Sequence, residues 1–278
     1  MKVQRQFLDL SKSKSNRFFF AALPLEFSIS LRRIFHLLDF GQMLPGSCKI
    51  YKHKTMNAIA LAGPELKNIK ENFKHFIENS GHPCIMAKSV FKMENYHMRA
   101  YDDMENPADL QQLLLDLKQY LENYDFDGHN FESFLAVFPQ NKFDDEISFE
   151  KALWNTLQNL NEIDDQEWDP RVSDDPENPN FSFSLGGRAF YIIGMHPKSS
   201  RFARQAPYPT FVFNLHHQFE KLRGMGTYET VRDTIRQNDA NLQGEINPVL
   251  RDFGEDSEAR QYSGRNVEKN WKCPFHHS

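Results

Sequence analysis

The stretch Phe181-Ser182-Phe183-Ser184-Leu185-Gly186-Gly187, continued by Arg188-Ala189-Phe190-Tyr191-Ile192-Ile193-Gly194-Met195, decides the fold. Its first five residues alternate apolar and hydroxyl side chains with a period of two, as a strand does. Gly186 and Gly187 accept positive φ angles, and the apolar run after them returns as a second strand, so the segment reads as a β-hairpin. Just before it, residues 164–180 are acidic and proline-punctuated with little to bury, which makes them a surface loop; the spacing of a calcium-binding EF-hand is missing there. Just after it, Thr210 to Leu215 reads as a further strand that runs into a helical stretch from His216 to Arg223, stopped by Gly224. A polar helix about Tyr228 to Gln237 follows, and the remainder reads mostly as loop.

Upstream of the hairpin the period changes to that of helices. Leu66, Ile69, Phe73, Phe76 and Ile77 mark an amphipathic helix that opens at Pro64 and closes near Gly81. A second begins at Asn106-Pro107, a side-chain cap followed by proline at the first helical position, and buries Leu110, Leu113, Leu114, Leu117 and Leu121 before ending by Asn123. Phe131 to Phe138 is a short apolar run between Gly128 and Pro139, a buried strand by length and aromatic content. Phe149, Leu153, Leu157 and Leu160 then line one face of a third helix. Helices and hairpins in mixed order, with no regular βαβ alternation, predict an α+β fold: an antiparallel-rich sheet covered by helices in a single compact domain over residues 56–278.

The 278-residue chain has 40% hydrophobic residues, 26% charged residues and a net charge of -5, which speaks against a nucleic-acid partner. The average hides an asymmetry. Residues 1–55 carry 10 Lys/Arg against 3 Asp/Glu, whereas residues 56–278 carry 23 against 35. The basic, serine-bearing extension 1–55 has the look of a transit peptide or of sequence translated from too early a start, and Met56 is the expected initiator. The apolar stretch from Phe18 to Leu25 is too short to span a membrane, so no membrane partner is expected. Cys48, Cys84 and Cys273 form no C-x-x-C pair, and three scattered thiols suit a cytoplasmic protein.

Familiar catalytic motifs are missing or isolated. Asp252-Phe253-Gly254 has no glycine-rich loop or H-R-D segment to make it a kinase, and Gly224-Met225-Gly226 lacks the third glycine of a dinucleotide fingerprint. Histidines are the better candidates, because neutral imidazole is the commonest metal ligand; His97, His196, His216 and His217 lie at element ends or beside strands. His216 and Glu220, four apart on a helix, could join His196 in a two-histidine, one-carboxylate iron site. Cys273-Pro274 with His276 and His277 offers a further donor cluster. Arg201 and Arg204 place two guanidinium forks near the end of a strand, where they suit a carboxylate-bearing ligand.

Several ordered blocks extend this reading: His82-Pro83-Cys84; Phe149-Glu150 to Trp154, with Asp165 and Trp168; Met195-His196-Pro197-Lys198-Ser199-Ser200-Arg201; Phe213-Asn214-Leu215-His216; and Asn247-Pro248. Ser257-Glu258-Ala259-Arg260-Gln261-Tyr262-Ser263-Gly264-Arg265 and Trp271-Lys272-Cys273-Pro274-Phe275 complete them. Together the blocks cover roughly residues 60–275 and resemble the YqcI/YcgG family, in particular the branch of the haem-dependent pre-guanitoxin N-hydroxylase. The resemblance implies a monooxygenase with haem b that uses dioxygen and an external reductant, supplied by an electron-donor reductase. It would N-hydroxylate a guanidine or amine nitrogen of arginine or an arginine-derived small molecule. It also implies an axial histidine soon after the His82-Pro83-Cys84 block, which points to His97, with His196 and His216 next and Cys84 as a thiolate alternative. Arg201 and Arg204 would then meet haem propionates or the substrate carboxylate, and a cationic guanidinium would call for carboxylates in the pocket. Two other readings stand beside it: non-haem iron at His196, His216 and Glu220, and a haem-sensing or haem-carrying protein with Cys273 as a ligand.

Overall fold

The computed structural model describes residues 64–277. The basic extension, Met56 and Cys48 lie outside the described residues. The chain from Pro64 onward forms a five-stranded sheet with helices on both faces, the α+β architecture expected from the sequence.

Helix α1 (Pro64–Asn79) is followed by α2 (Ile85–Lys92), whose first turn is capped by Cys84: its Sγ accepts from the Ala87 amide at 3.4 Å. Strand β1 (Tyr96–Ala100) comes next, and then α3 (Pro107–Asn123), where Asn106 Oδ1 accepts from the Ala108 and Asp109 amides and Pro107 opens the helix as predicted. Strand β2 (Ser133–Val137) leads to α4 (Glu146–Ile163), which starts in a reciprocal cap between Asp145 and Ser148. The hairpin is β3 (Phe183–Leu185) and β4 (Arg188–Met195); Gly186 and Gly187 sit at φ 60° and 72°, the two positive angles its two-residue turn requires. A 3-10 turn (Phe202–Arg204) precedes β5 (Thr210–Leu215), α5 (His216–Gly224), α6 (Tyr228–Gln243) and the short α7 (Ala259–Tyr262).

The sheet order is β1-β2-β5-β4-β3, antiparallel except for β1 and β2. That parallel pair departs from the sequence reading, which contains neither α2 nor β1; α3 is its crossover. Strand pleating separates two cores. On the first face Phe134, Ala136, Phe190, Ile192, Phe211 and Phe213 pack with α3, α4 and the C-terminal Phe275. On the second, Met98, Leu135, Val137, Met195 and Val212 pack toward α1 and α2. Helix α4 comes so close to β4 that a Cβ on Gly194 would lie 2.5 Å from Leu153 Cδ1, which explains a glycine inside a strand. Among the described residues no helix is long and apolar enough to cross a membrane.

Candidate functional site

The second face of the sheet is only partly filled. Its central strands present Ser133, Leu135, Tyr191, Ile193, Val212 and Asn214, without the run of phenylalanines that fills the first face. A cavity of about 330 Å³ results, walled by these residues, α1, α2, the His82-Pro83-Cys84 turn, α5, α6 and residues 247–261. Phe73, Ile77, Val90, Phe91 and Leu222 make much of its wall apolar, as in small-molecule sites generally.

Its charges are unequal. Arg201, Arg204, Arg223, Arg232, Arg236 and Arg251 line it against Asp239, Asp252 and Glu258. Most of these arginines are already engaged. Arg201 is buried in an ion pair with Asp239 at 2.5 Å, Arg232 and Arg236 share Asp252, and Arg223 pairs with Glu220 while lying 4.4 Å over the Tyr228 ring. Arg251 donates to the Pro248 and Leu250 carbonyls. Arg204, like Arg251, meets no carboxylate, but it is the less exposed of the two: its guanidinium donates to the Gly194 and Gln261 carbonyl oxygens, at 3.0 and 3.3 Å. Arg204, Tyr191 and Cys84 are half-buried and line the cavity.

Burial tunes the titratable groups. It pushes the Glu258 carboxyl up to about 8, against hydrogen bonds from Ser182 and Tyr262 that favour the anion. It brings His82 down to about 4, although the bond to a backbone carbonyl opposes this. His82 Nδ1 accepts from the Cys84 amide at 3.3 Å, so Nε2 carries the proton and donates to the Ala203 carbonyl at 3.1 Å. Both ring nitrogens are thereby occupied by backbone. His216, also on the wall, is lowered by burial, with Glu220 opposing from 3.2 Å; it is a neutral imidazole, the form that binds metals. Burial raises the Cys84 thiol, which therefore stays protonated and does not offer a thiolate.

The residues proposed from sequence are scattered. His97 lies on β1 beside Phe134, on the first face; its ring sits 5.0 Å from that of Tyr120 and its Nε2 is 3.3 Å from Glu132, away from the cavity. His196 is stacked on Phe149 at 4.3 Å, also outside the cavity wall, and its buried Nε2 has no partner. Arg201 reaches the cavity but is held by Asp239; only Arg204, of the two forks, is open to a ligand. The non-haem site is not assembled. His196 follows Met195, which pairs with Thr210, whereas His216 follows Leu215, which pairs with Phe190. The two histidines thus lie beyond opposite ends of the β4–β5 ladder, which itself spans roughly 17 Å at ~3.4 Å per residue. Cys273 is buried under the first face, its thiol pushed up to about 12, so it too is no thiolate donor. The acidic loop is tied up in ion pairs of Asp164 and Asp165 with Lys118 and of Asp169 with Arg171. Among the described residues no three His, Cys, Asp or Glu side chains are grouped to hold a metal ion by themselves.

Sequence reasoning passed over Asp239, Tyr191 and Glu258. Glu258 carried one available signal: it stands four residues before Tyr262 in the Ser257–Arg265 block, a spacing that puts both on one helical face.

A family model described as the YqcI/YcgG family matches residues 73–276. An uncharacterized protein, YqcI, of Bacillus subtilis (strain 168) is 24% identical over 203 residues, which is 69% of this chain and 80% of that protein. No solved structure matches the chain. The chain belongs to the YqcI/YcgG family.

Proposed function

We propose, from the premise of YqcI/YcgG membership, that the cavity is the active site of a haem-dependent monooxygenase that N-hydroxylates a guanidine or amine nitrogen of arginine or an arginine-derived compound. The observation that carries this reading is the cavity itself: largely apolar, with a neutral imidazole and a carboxylate-free guanidinium in its lining. That donor set fits a porphyrin with acidic side arms. His216 would hold the iron, because His97 and His196 lie away from the cavity, and Arg204 would meet a propionate or the substrate carboxylate. Haem, when bound, supplies an iron position at which dioxygen is activated with electrons from an external reductase. The chain's own part is to exclude water with Phe73, Ile77 and Val90, to keep His216 unprotonated by burial, and to hold the ligand's anionic group at Arg204. A cytoplasmic setting, in which thiols stay reduced, suits the free Cys84 and Cys273.

The test is the visible spectrum of the full chain, produced with a haem precursor and recorded in its ferric, ferrous and ferrous-CO forms beside His216→Ala and His97→Ala. The expected result is a Soret band near-stoichiometric with protein, lost in His216→Ala and kept in His97→Ala. Loss in His97→Ala alone would return the axial position to β1. No Soret band in the unaltered protein would refute the cofactor.

A further inference from the structure

Asp239 is paired with Arg201, and Asp252 with Arg232 and Arg236, but Glu258 makes no ion pair among the described residues although it is only 5% exposed and lines the cavity. Its surroundings are fully specified. Tyr262 of its own helix donates to Oε2 at 3.3 Å, the Ser182 hydroxyl stands beside it, Tyr191 faces it from β4, and Arg223 and Glu220 face it from α5. Arg223, the cation among these, is already bound to Glu220 and lies over Tyr228. A carboxyl in such a place resists ionising until a cation arrives, since an unpaired buried charge is costly and a paired one much less so. Within a wall otherwise rich in arginine, Glu258 is therefore a latent anion.

We infer that Glu258 is the specificity-determining residue of the cavity, the group that receives a positively charged nitrogen of the ligand and releases its own proton to solvent as the ion pair forms. The inference rests on the cavity being the ligand site, as proposed above, and not on haem. The exchange balances without any redox partner: the Glu258 O–H bond breaks, the proton leaves to buffer, and the carboxylate pairs with the ligand cation without a covalent bond. Neutral ligands of the same shape gain nothing from this exchange.

The experiment is calorimetric titration of the full chain with n-butylguanidine and n-butylamine, and with n-butylurea as a neutral isostere of the guanidine, in two buffers of different ionisation enthalpy. At pH 7 we expect close to one proton released per cation bound, an affinity that rises about tenfold per pH unit from pH 6 toward 8 and then levels, and butylurea bound at least tenfold more weakly than butylguanidine. Glu258→Gln should abolish the proton release and the pH dependence, and Glu258→Asp should keep both with weaker binding. The proton count on the unaltered protein stands even if the Gln variant fails to fold. Cation binding without proton release, butylurea bound as well as butylguanidine, or no cation binding at all would overturn the inference. A Soret reading on the same samples separates the two claims: proton-coupled cation binding without haem sinks only the cofactor, and haem retention without cation binding sinks only the role of Glu258.

Discussion

On strand β5, Phe211, Phe213 and Leu215 are wholly buried, while Val212 and Asn214 between them look into a cavity. The same parity divides β2 and β4. The first face carries an aromatic ladder, with Phe213 at 6.0 Å from Phe134 and 5.8 Å from Phe190, and Phe211 at 5.3 Å from Phe138, so the covering helices meet large, fully buried side chains. The second face alternates in smaller and more polar residues and is covered by about as many helices, yet it leaves a void. What makes the site is the size of the side chains on alternate positions, not a missing layer of structure.

Four measurements put this contrast to the test. The largest effect belongs to neighbours on one strand: Phe213→Ala should cost about 3–5 kcal/mol in denaturant unfolding, and Asn214→Ala, which loses one hydrogen bond from Ser133, about 1 kcal/mol. Equal losses would mean that the second face is packed like the first. Next comes the His82 imidazole of the cavity side. Its folded value of about 4 lies below the usual 6.5, so the unfolded chain binds the extra proton; stability is full above pH 6.5 and falls as the pH drops toward 4. Between pH 7 and 4 the parent protein should lose about 3 kcal/mol more than His82→Gln, a difference that vanishes if the ring is already protonated when folded. On the sealed side Gly194→Ala should cost about 1–3 kcal/mol, since its Cβ would press on Leu153, Phe149 and the Tyr262 carbonyl; a neutral outcome would show slack under α4. Smallest, Asn106→Ala should cost about 1 kcal/mol by uncapping α3, read as a shift in the unfolding midpoint without loss of ligand binding.

The contrast also explains how much was legible beforehand. Alternation in Phe181–Leu185 and the helical spacing from Leu66 to Ile77 are local, and both became the elements they announced. Strand β1 was invisible because Tyr96-His97-Met98-Arg99-Ala100 is an edge strand with a polar first face, held by pairing to β2 across the intervening α3. Helix α2 is only eight residues long, too short for its periodicity to stand out. The cavity was less readable still, because its walls come from segments between residues 73 and 261 that no spacing relates. Arg201 and Arg204 look equivalent three residues apart; Asp239, far along the chain, engages the first and leaves the second free.

The central strands β2 and β5 pair although Val137 and Thr210 are 73 positions apart, and the cavity is walled by α1 and α2 on one side and by α5, α6 and residues 247–261 on the other. Such long-range closure is slow to form and waits on synthesis. A ribosome has made nearly the whole chain before both halves of the wall exist. The complete wall, and with it the full set of contacts to an occupant, therefore exists only once residues 247–261 have been made.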